Sequence, residues 1–385
     1  MRNLTEPDTR RCVNNRSSSG VTRRPAACNQ PWNTMYIPWS GDGVCACCYG
    51  PRGLGGLNAS SAEEIWNGEA YVLLRRSLLE NRPLGGCVEC LSGSRDFTDH
   101  VKPFANEMKA GRLILSEVKK SNFERARQNY LDGKEIVDHL PYVIFLDVSS
   151  QCNIRCRKCF VYACKEPMQL GHMAESIFEK IVPLLPTAIR VICTGIGESL
   201  VHPNFIRFAK QILAYGCQLS FNTNGLLLTP AVSRQLVECR ASEIIFSIDS
   251  LNEERYRYLH RGSSLQTVLD NLNAIAGIKH EMQSMLPRLC WFIVGMRSNL
   301  PELADVIRKA ASLQFQAIYV AQLVEPRHGY KQDYFDFYAE ENMISTEEDR
   351  QQLKAKLADS RDLARQLGIN FGSGYDPVLQ KTENI

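Results

Sequence analysis

Residues 151–160 read QCNIRCRKCF and directly follow an apolar run, YVIFLDV, at 142–148. Cys152, Cys156 and Cys159 can ligate three irons of a four-iron cluster from this one loop. No fourth cysteine falls at matching spacing, so one iron would stay open to bind a small ligand. A zinc site is the alternative, although structural zinc takes four closed ligands, commonly in paired Cys-x2-Cys units. The uneven spacing of the three cysteines favours the cluster.

From residue 141 onward, short β-rich runs alternate with longer amphipathic stretches. We predict six strands, at 142–148, 188–193, 217–222, 243–248, 290–295 and 317–323. Strands that alternate with helices of about 10–15 residues indicate βαβ units and a parallel sheet with right-handed crossovers. Six units are fewer than the eight of a closed barrel. The expected fold class is therefore α/β, with an open, partial (β/α)6 barrel.

Polar and glycine-rich segments follow four of these strands. The cysteine loop follows the first strand, Gly195-Ile196-Gly197-Glu198 follows the second, Asn222 ends the third and Ser247 ends the fourth. The carboxyl ends of parallel strands meet at one edge of a sheet, and ligands bind there in α/β folds. Taken singly, the glycine run is typical of a turn and the two polar residues are typical of caps. Their shared edge favours a ligand site.

The three-cysteine loop after a strand resembles the signature of radical S-adenosylmethionine (SAM) enzymes. This resemblance implies a [4Fe-4S] cluster whose open iron binds the amino and carboxylate groups of SAM. It also implies that the SAM amine is bound by Gly195, Gly197 and Glu198. The ribose hydroxyls would be bound by Asn222 and Ser247, and the carboxylate by Arg261. For Arg261 the alternative is an exposed arginine beside a helix.

Lys158 departs from the pattern of that family. The position before the third cysteine is often aromatic in radical SAM enzymes, and its backbone lies near the adenine of SAM. This chain has Lys158 there, with Phe160 just after the cysteine. The adenine contact is the part of the resemblance that this lysine leaves unexplained.

A second group of cysteines precedes the predicted barrel, between residues 28 and 92. A segment of this size buries little core, so we expect a metal to staple it, either zinc or an iron–sulfur cluster. Its motifs, among them Asp42-Gly43 and Glu64-Ile65-Trp66-Asn67, resemble the cluster-binding SPASM module, which usually follows the barrel and here precedes it. The auxiliary ligands that we predict are Cys28, Cys48, Cys87 and Cys90, with Cys45 and Cys47 as substitutes.

The composition is that of an ordinary globular protein, with 385 residues, 23% charged and 44% hydrophobic. Its length favours one large and one small domain. We predict a disordered arginine-rich tail at 1–27, the SPASM-like module at 28–92 and a helical connector at 93–140. The partial barrel follows at 141–330, and a C-terminal helical extension at 331–385.

Charge and hydropathy bear on partners and location. Six arginines and two acids give residues 1–27 a charge of +4, which leaves −1 for the rest of a chain of net charge +3. Arginines without interleaved aromatic residues favour a solvated tail over a nucleic-acid partner. The sequence has neither a signal peptide nor a membrane span, so we expect a cytoplasmic protein without a membrane partner. In that compartment the 15 cysteines are expected to be metal ligands and free thiols.

The resemblance implies reductive cleavage of SAM to a 5′-deoxyadenosyl radical that abstracts hydrogen from a substrate. The electron would come from an external reductant such as flavodoxin or ferredoxin. We expect oxidation or epimerisation of a small molecule such as a sugar or cyclitol. One alternative is a maturase that modifies a ribosomally made peptide. Another, of a different class, is a non-catalytic zinc or iron–sulfur protein whose tail contacts nucleic acid.

Overall fold

The structure is a computed structural model that describes residues 26, 28–47, 53–92 and 113–376. Cys48 lies outside these residues, as do all of the predicted tail at 1–27 except Ala26 and the 93–112 part of the predicted connector. None of the helices within the described ranges is long and apolar enough to cross a membrane.

A parallel sheet of eight strands forms the centre of the molecule. Its order is β1 (Thr34–Ile37), β2 (Val143–Leu146), β4 (Arg190–Cys193), β5 (Gln218–Thr223), β6 (Glu243–Ser247), β8 (Arg288–Gly295), β9 (Ala317–Gln322) and β10 (Asn370–Ser373). The two remaining strands, β3 (Arg155–Cys156) and β7 (His260–Arg261), form a separate antiparallel pair. The six predicted strands are β2, β4, β5, β6, β8 and β9, so the prediction of a partial barrel is confirmed.

Strands β1 and β10 were not predicted, and they extend the sheet at its two edges. Strand β1 comes from the segment predicted as the N-terminal module, and it pairs with β2 from Thr34–Val143 to Ile37–Leu146. Strand β10 follows the C-terminal helices and pairs with β9. Both lie outside residues 141–330, where the alternation of strands and helices carried the prediction.

Helices connect the strands and cover one face of the sheet. In the first part of the chain they are α1 (Gln30–Asn33), α2 (Ala62–Trp66), α3 (Glu69–Leu79), α4 (Gly86–Ser92), α5 (Glu117–Leu131), α6 (Phe160–Ala163) and α7 (Glu175–Glu179). Beyond β4 they are α8 (Phe205–Ala214), α9 (Pro230–Glu238), α10 (Glu253–Leu259), α11 (Leu265–Glu281), α12 (Leu303–Ser312), α13 (Gln332–Glu341) and α14 (Glu347–Gln366).

The two faces of the sheet differ in burial. One face carries fully buried apolar side chains, among them Phe221, Phe246 and Trp291, which belong to the main hydrophobic core. On the other face Asn222 and Ser247 are only half-buried. Successive strand residues point to opposite faces, so Asn222 and Ser247 stand on the face opposite this core. We call it the concave face, because it is the inner side of the partial barrel.

Candidate functional site

The cysteine loop lies between β2 and α6 and is fastened at both ends. The β3–β7 pair sets Cys156 opposite His260 and Arg155 opposite Arg261. At the start of the loop, Asn224 Nδ2 donates a hydrogen bond to Asn153 Oδ1 at 2.8 Å and lies 4.0 Å from Cys152 Sγ. Helix α6 begins directly after Cys159. The loop is therefore held by partners from the ends of β5 and α10.

The three cysteines of the loop are half-buried, and their thiols are close enough for the charge of one to affect the pKa of another. Burial, with a smaller contribution from Glu198 and Cys159, raises the pKa of Cys152 to about 11. Burial also raises the pKa of Cys156 to about 12, and the other two thiols add to that effect. A metal that binds a thiol replaces its proton. Thiols that do not ionise readily by themselves therefore become thiolates when iron binds. This donor set fits an iron–sulfur cluster.

Within the part of the chain that the structure describes, no three or more cysteine, histidine, aspartate or glutamate side chains converge to hold a single metal ion. The thiolates of a four-iron cluster bind different irons, so they stand farther apart than the ligands of one ion. The lack of a single-ion site among the described residues therefore does not conflict with the cluster.

The predicted glycine loop packs directly on the backbone that enters the cysteine loop. A β carbon at Gly197 would come within 2.3 Å of Ser149 O and 2.4 Å of Gln151 O, and one at Gly195 would come within 2.0 Å of Asp147 Oδ1. Only glycine allows this approach. The backbone N–H of Glu198 also donates to Gln151 O at 2.9 Å. The two loops form one continuous rim.

The Glu198 carboxylate joins two strand ends rather than pointing into solvent. Its side chain is buried, with 2% exposure for the residue, and it accepts hydrogen bonds from the backbone N–H groups of Leu200 at 3.1 Å and Asn224 at 2.7 Å. Burial raises the pKa of Glu198 to about 7 although these bonds lower it. In this structure Glu198 shapes the rim, and within its loop Gly195 is exposed and Gly197 is half-buried.

Asn222 and Ser247 lie at the carboxyl ends of neighbouring strands, β5 and β6. Both are half-buried, and they share the concave face, because Asn222 pairs with Ile245, two residues before Ser247. Neither side chain makes a hydrogen bond to another described residue. Both are therefore free to bond a ligand such as a ribose.

Arg261 lies opposite Arg155 of the cysteine loop, in the separate β3–β7 pair and not at the end of a strand of the main sheet. It is exposed on β7 and lines an open cleft of about 580 Å³ together with Cys156. We call this the basic cleft, because four of its lining residues are cationic and one is acidic. These five residues are Arg155, Arg157, Arg261, Lys331 and Asp333.

Four cysteines of the N-terminal segment also come together. Burial raises the pKa of Cys28 to about 11 and that of Cys87 to about 12, and the charges of Cys47 and Cys90 contribute to both shifts. Cys45 is buried, and its backbone pairs with Tyr36. Of the two predicted substitutes, Cys45 and Cys47, the structure brings Cys47 together with the other three cysteines. The predicted ligand Cys48 lies outside the described residues.

The other motif residues of this segment attach it to the rest of the molecule. Trp66 Nε1 donates to His139 O, and Trp32 Nε1 donates to Lys134 O, each at 2.7 Å. Arg75 is fully buried, lies 4.6 Å from the Trp66 ring and donates to Pro31 O at 2.9 Å. Sequence reasoning missed the role of Arg75, although an arginine inside an apolar helical run is a visible signal.

Sequence reasoning also missed Asp249 and His260, which are both buried beside the cysteine loop. Asp249 lies two residues after Ser247 and His260 directly precedes Arg261. A carboxylate at a strand end was a signal for the first residue. For the second, the sequence held no signal, because only the β3–β7 pairing sets it opposite Cys156.

Comparison with protein-family models gives two matches. Residues 146–313 match the radical SAM superfamily, and residues 28–91 match SPASM, an iron–sulfur cluster-binding domain. The second match precedes the first along the chain, as predicted. A radical SAM domain implies a [4Fe-4S] cluster with SAM, and a SPASM domain implies auxiliary iron–sulfur binding. These matches favour an enzyme over the non-catalytic alternative.

Curated relatives cover part of the chain. The tungsten-containing aldehyde ferredoxin oxidoreductase cofactor-modifying protein of Pyrococcus furiosus is 26% identical over 185 residues, which is 47% of this chain and 51% of that protein. GTP 3′,8-cyclase of Geobacter sulfurreducens is 32% identical over 133 residues, which is 34% of this chain and 40% of the cyclase. The chain thus spans about half or less of the length of these relatives.

Among solved structures, Streptococcus suis SuiB bound to S-adenosylmethionine is similar in fold. The TM-score is 0.51 at 14% sequence identity, and the match covers 78% of this chain and 65% of SuiB. At this level of identity the likeness concerns the fold alone.

Proposed function

Because this chain is a radical SAM superfamily enzyme with a SPASM domain ahead of its radical SAM domain, we propose that it abstracts a hydrogen atom from a small-molecule substrate. The observation that carries the proposal is the contact between the cysteine loop and the Gly195–Glu198 loop at one edge of the sheet. When bound, a four-iron cluster reduced by one electron supplies the reductive cleavage of SAM into methionine and a 5′-deoxyadenosyl radical.

Different residues of the rim would hold the four-iron cluster and SAM. Cys152, Cys156 and Cys159 would ligate three irons and leave the fourth iron for SAM. The backbone around Gly195 and Gly197 is accessible because neither residue carries a β carbon, and so it would accept from the SAM amine. The unbonded side chains of Asn222 and Ser247 would meet ribose hydroxyls on the concave face. Arg261 would serve the SAM carboxylate only if it turned inward from the basic cleft.

The basic cleft supports a small polar substrate. Its volume of about 580 Å³ lies in the range of ligand pockets, about 300–1,000 Å³. Three arginines and a lysine against one aspartate favour a substrate that carries a phosphate or carboxylate. The relatives support the same class, because their names refer to a cofactor and to GTP. A phosphorylated sugar or cyclitol would fit this description.

We assign the auxiliary cluster to Cys28, Cys47, Cys87 and Cys90. Four thiolates close the coordination of a four-iron cluster, so that no iron is left for a substrate. A closed cluster suits electron transfer, and it would accept the electron that a substrate radical releases on oxidation. This favours oxidation over epimerisation as the net reaction, with flavodoxin or ferredoxin as the reductant of the SAM cluster.

Anaerobic reconstitution tests the proposal. The purified protein should take up about eight irons, as expected for two four-iron clusters, and should form 5′-deoxyadenosine from SAM under dithionite. Addition of the true substrate should raise the rate and keep 5′-deoxyadenosine formation in step with substrate consumption. Binding of zinc without cleavage of SAM would refute the proposal. Stimulation by peptides but by no phosphorylated or carboxylated small molecule would refute the substrate class.

A further inference from the structure

Lys158, the residue at which the chain departs from the family pattern, is not directed into solvent. Its ammonium group contacts the Asp249 carboxylate, and the side chains of the two residues are 12% and 0% exposed. A lysine placed between two cluster ligands would ordinarily extend into water. Here it pairs instead with a carboxylate at the end of a neighbouring strand, β6.

Asp249 in turn contacts His260. Asp249 Oδ2 lies 2.9 Å from His260 Nε2, and both side chains are buried. The second carboxylate oxygen accepts a hydrogen bond from the Val294 N–H at 2.9 Å. Burial would raise the pKa of Asp249, but Lys158 and His260 outweigh it and hold the pKa below its ordinary value. The carboxylate is therefore ionised and fixed between two basic groups.

The opposite edge of the His260 ring faces a cluster ligand. His260 Nδ1 lies 3.4 Å from Cys156 Sγ, as expected for residues directly opposite each other in the β3–β7 pair. The ring stacks on Tyr256 with centroids 4.6 Å apart, and Tyr256 Oη is bonded to Ser263 Oγ at 2.9 Å. Packing from one side and Asp249 from another thus leave the ring a single orientation.

We propose that Lys158, Asp249 and His260 form a positioning relay that directs an N–H at the ligating sulfur of Cys156 and raises the reduction potential of the SAM cluster. The inference rests on the proposed function, because it concerns the cluster that the cysteine loop would hold. Once Cys156 is an iron-bound thiolate, its sulfur is an acceptor for an N–H at Nδ1, and the Asp249 carboxylate, 2.9 Å from Nε2, holds the ring in that orientation.

The direction of the effect follows from charge. Reduction adds an electron to the cluster and its sulfurs, and a hydrogen bond to a ligating sulfur stabilises the more negative state. The Lys158 ammonium acts in the same sense at longer range. A His260 ring that served packing alone would affect stability but not the potential when another side chain replaced it. The two explanations therefore differ in what they predict for the potential.

The experiment is a reductive titration of the reconstituted enzyme followed by electron paramagnetic resonance, in which the SAM cluster is the signal that changes when SAM is added. His260→Leu should move the midpoint potential to a more negative value. His260→Asn keeps a side-chain N–H near the position of Nδ1 and should return the potential toward that of the wild type. His280→Leu, the same change at an exposed position on α11, should leave it unchanged.

Lys158→Met and Lys158→Arg decide the matter if the His260 variants do not fold. Lys158→Met should lower the potential, and Lys158→Arg should retain the wild-type value. Equal potentials in the wild type and in the folded variants would overturn the relay while leaving the proposed function intact. A wild-type protein without a SAM-responsive cluster would overturn the proposed function itself.

Discussion

The two cysteine centres of this molecule are built in different ways. The proposed ligands of the SAM cluster come from one eight-residue stretch, and side chains of other elements contact two of these sulfurs, namely Asn224 at Cys152 and His260 at Cys156. The auxiliary thiols come from three separate stretches of chain, at Cys28, at Cys47 and at Cys87 with Cys90. The first centre is encoded locally and contacted by residues of other elements, whereas the second exists only when its segment is folded.

This difference explains how well the sequence predicts each centre. The site formed by Cys152, Cys156 and Cys159 can be predicted from the sequence alone, because residues this close along the chain stay close in space in any fold. The choice among Cys45, Cys47 and Cys48 depends on a turn in which Gly41 and Gly43 adopt positive φ, and spacing alone cannot decide it. The partner of Lys158 was equally out of reach, because Asp249 follows it far along the chain.

The strongest way to separate the centres is to remove one ligand from the SAM site. A change to a group beside a metal ligand costs about 10–100-fold in affinity or activity, so loss of a ligand should cost more. We expect Cys159→Ser to lower the rate of 5′-deoxyadenosine formation by more than about 100-fold. Cys239→Ser, at a half-buried cysteine after α9, is the matched control and should not change the rate. Similar losses in both variants would contradict the assignment.

Ligand removal at the auxiliary centre should have a different outcome. We expect Cys47→Ser to lower the iron content from about eight to about four per chain while SAM cleavage continues without substrate oxidation. Cys45→Ser should keep all the iron, because Cys45 is buried and it is the charges of Cys47 and Cys90 that contribute to the pKa shifts of Cys28 and Cys87. Iron analysis together with product analysis checks both variants. If Cys45→Ser loses iron and Cys47→Ser does not, Cys45 is the ligand and Cys47 is not.

The contact between the two rim loops can be tested by adding one carbon. Gly197→Ala places a β carbon against Ser149 O, and such overpacking should lower the free energy of unfolding by about 2–3 kcal/mol and weaken SAM binding. Gly277→Ala lies in α11 with open space around the added carbon, so it should stabilise by up to about 1 kcal/mol. Urea titrations under nitrogen compare the two. A neutral Gly197→Ala would argue against close packing of the loops.

The attachment of the auxiliary segment should give a smaller effect. Trp66→Phe removes the hydrogen bond to His139 O and leaves that buried carbonyl unsatisfied, which should cost about 1–2 kcal/mol. Tyr215→Phe, at an exposed aromatic residue, should cost nothing measurable. The same urea titrations provide the comparison. If neither change alters the free energy of unfolding, the Trp66 hydrogen bond does not stabilise the attachment of this segment.

Much of the fold follows from the sequence, and the exceptions have a common cause. The six inner strands alternate with helices over long stretches, so periodicity identifies them. Strands β1 and β10 lie outside this alternating region and join the sheet only through pairing with β2 and β9. Arg261 shows the same limit at the site, because its motif position is recognisable, whereas its direction is set by its place opposite Arg155. Local patterns identify residues, and tertiary pairing sets where they point.

The central claim is that the cysteine loop holds a cluster with one iron open to SAM, and it can be tested directly. Electron paramagnetic resonance spectra of the reduced Cys87→Ser/Cys90→Ser variant, recorded with and without SAM, isolate the SAM cluster from the auxiliary one. We predict a signal from a reduced four-iron cluster whose g-values shift when SAM is added. A spectrum that SAM leaves unchanged, or a protein without a reducible cluster, would contradict the account.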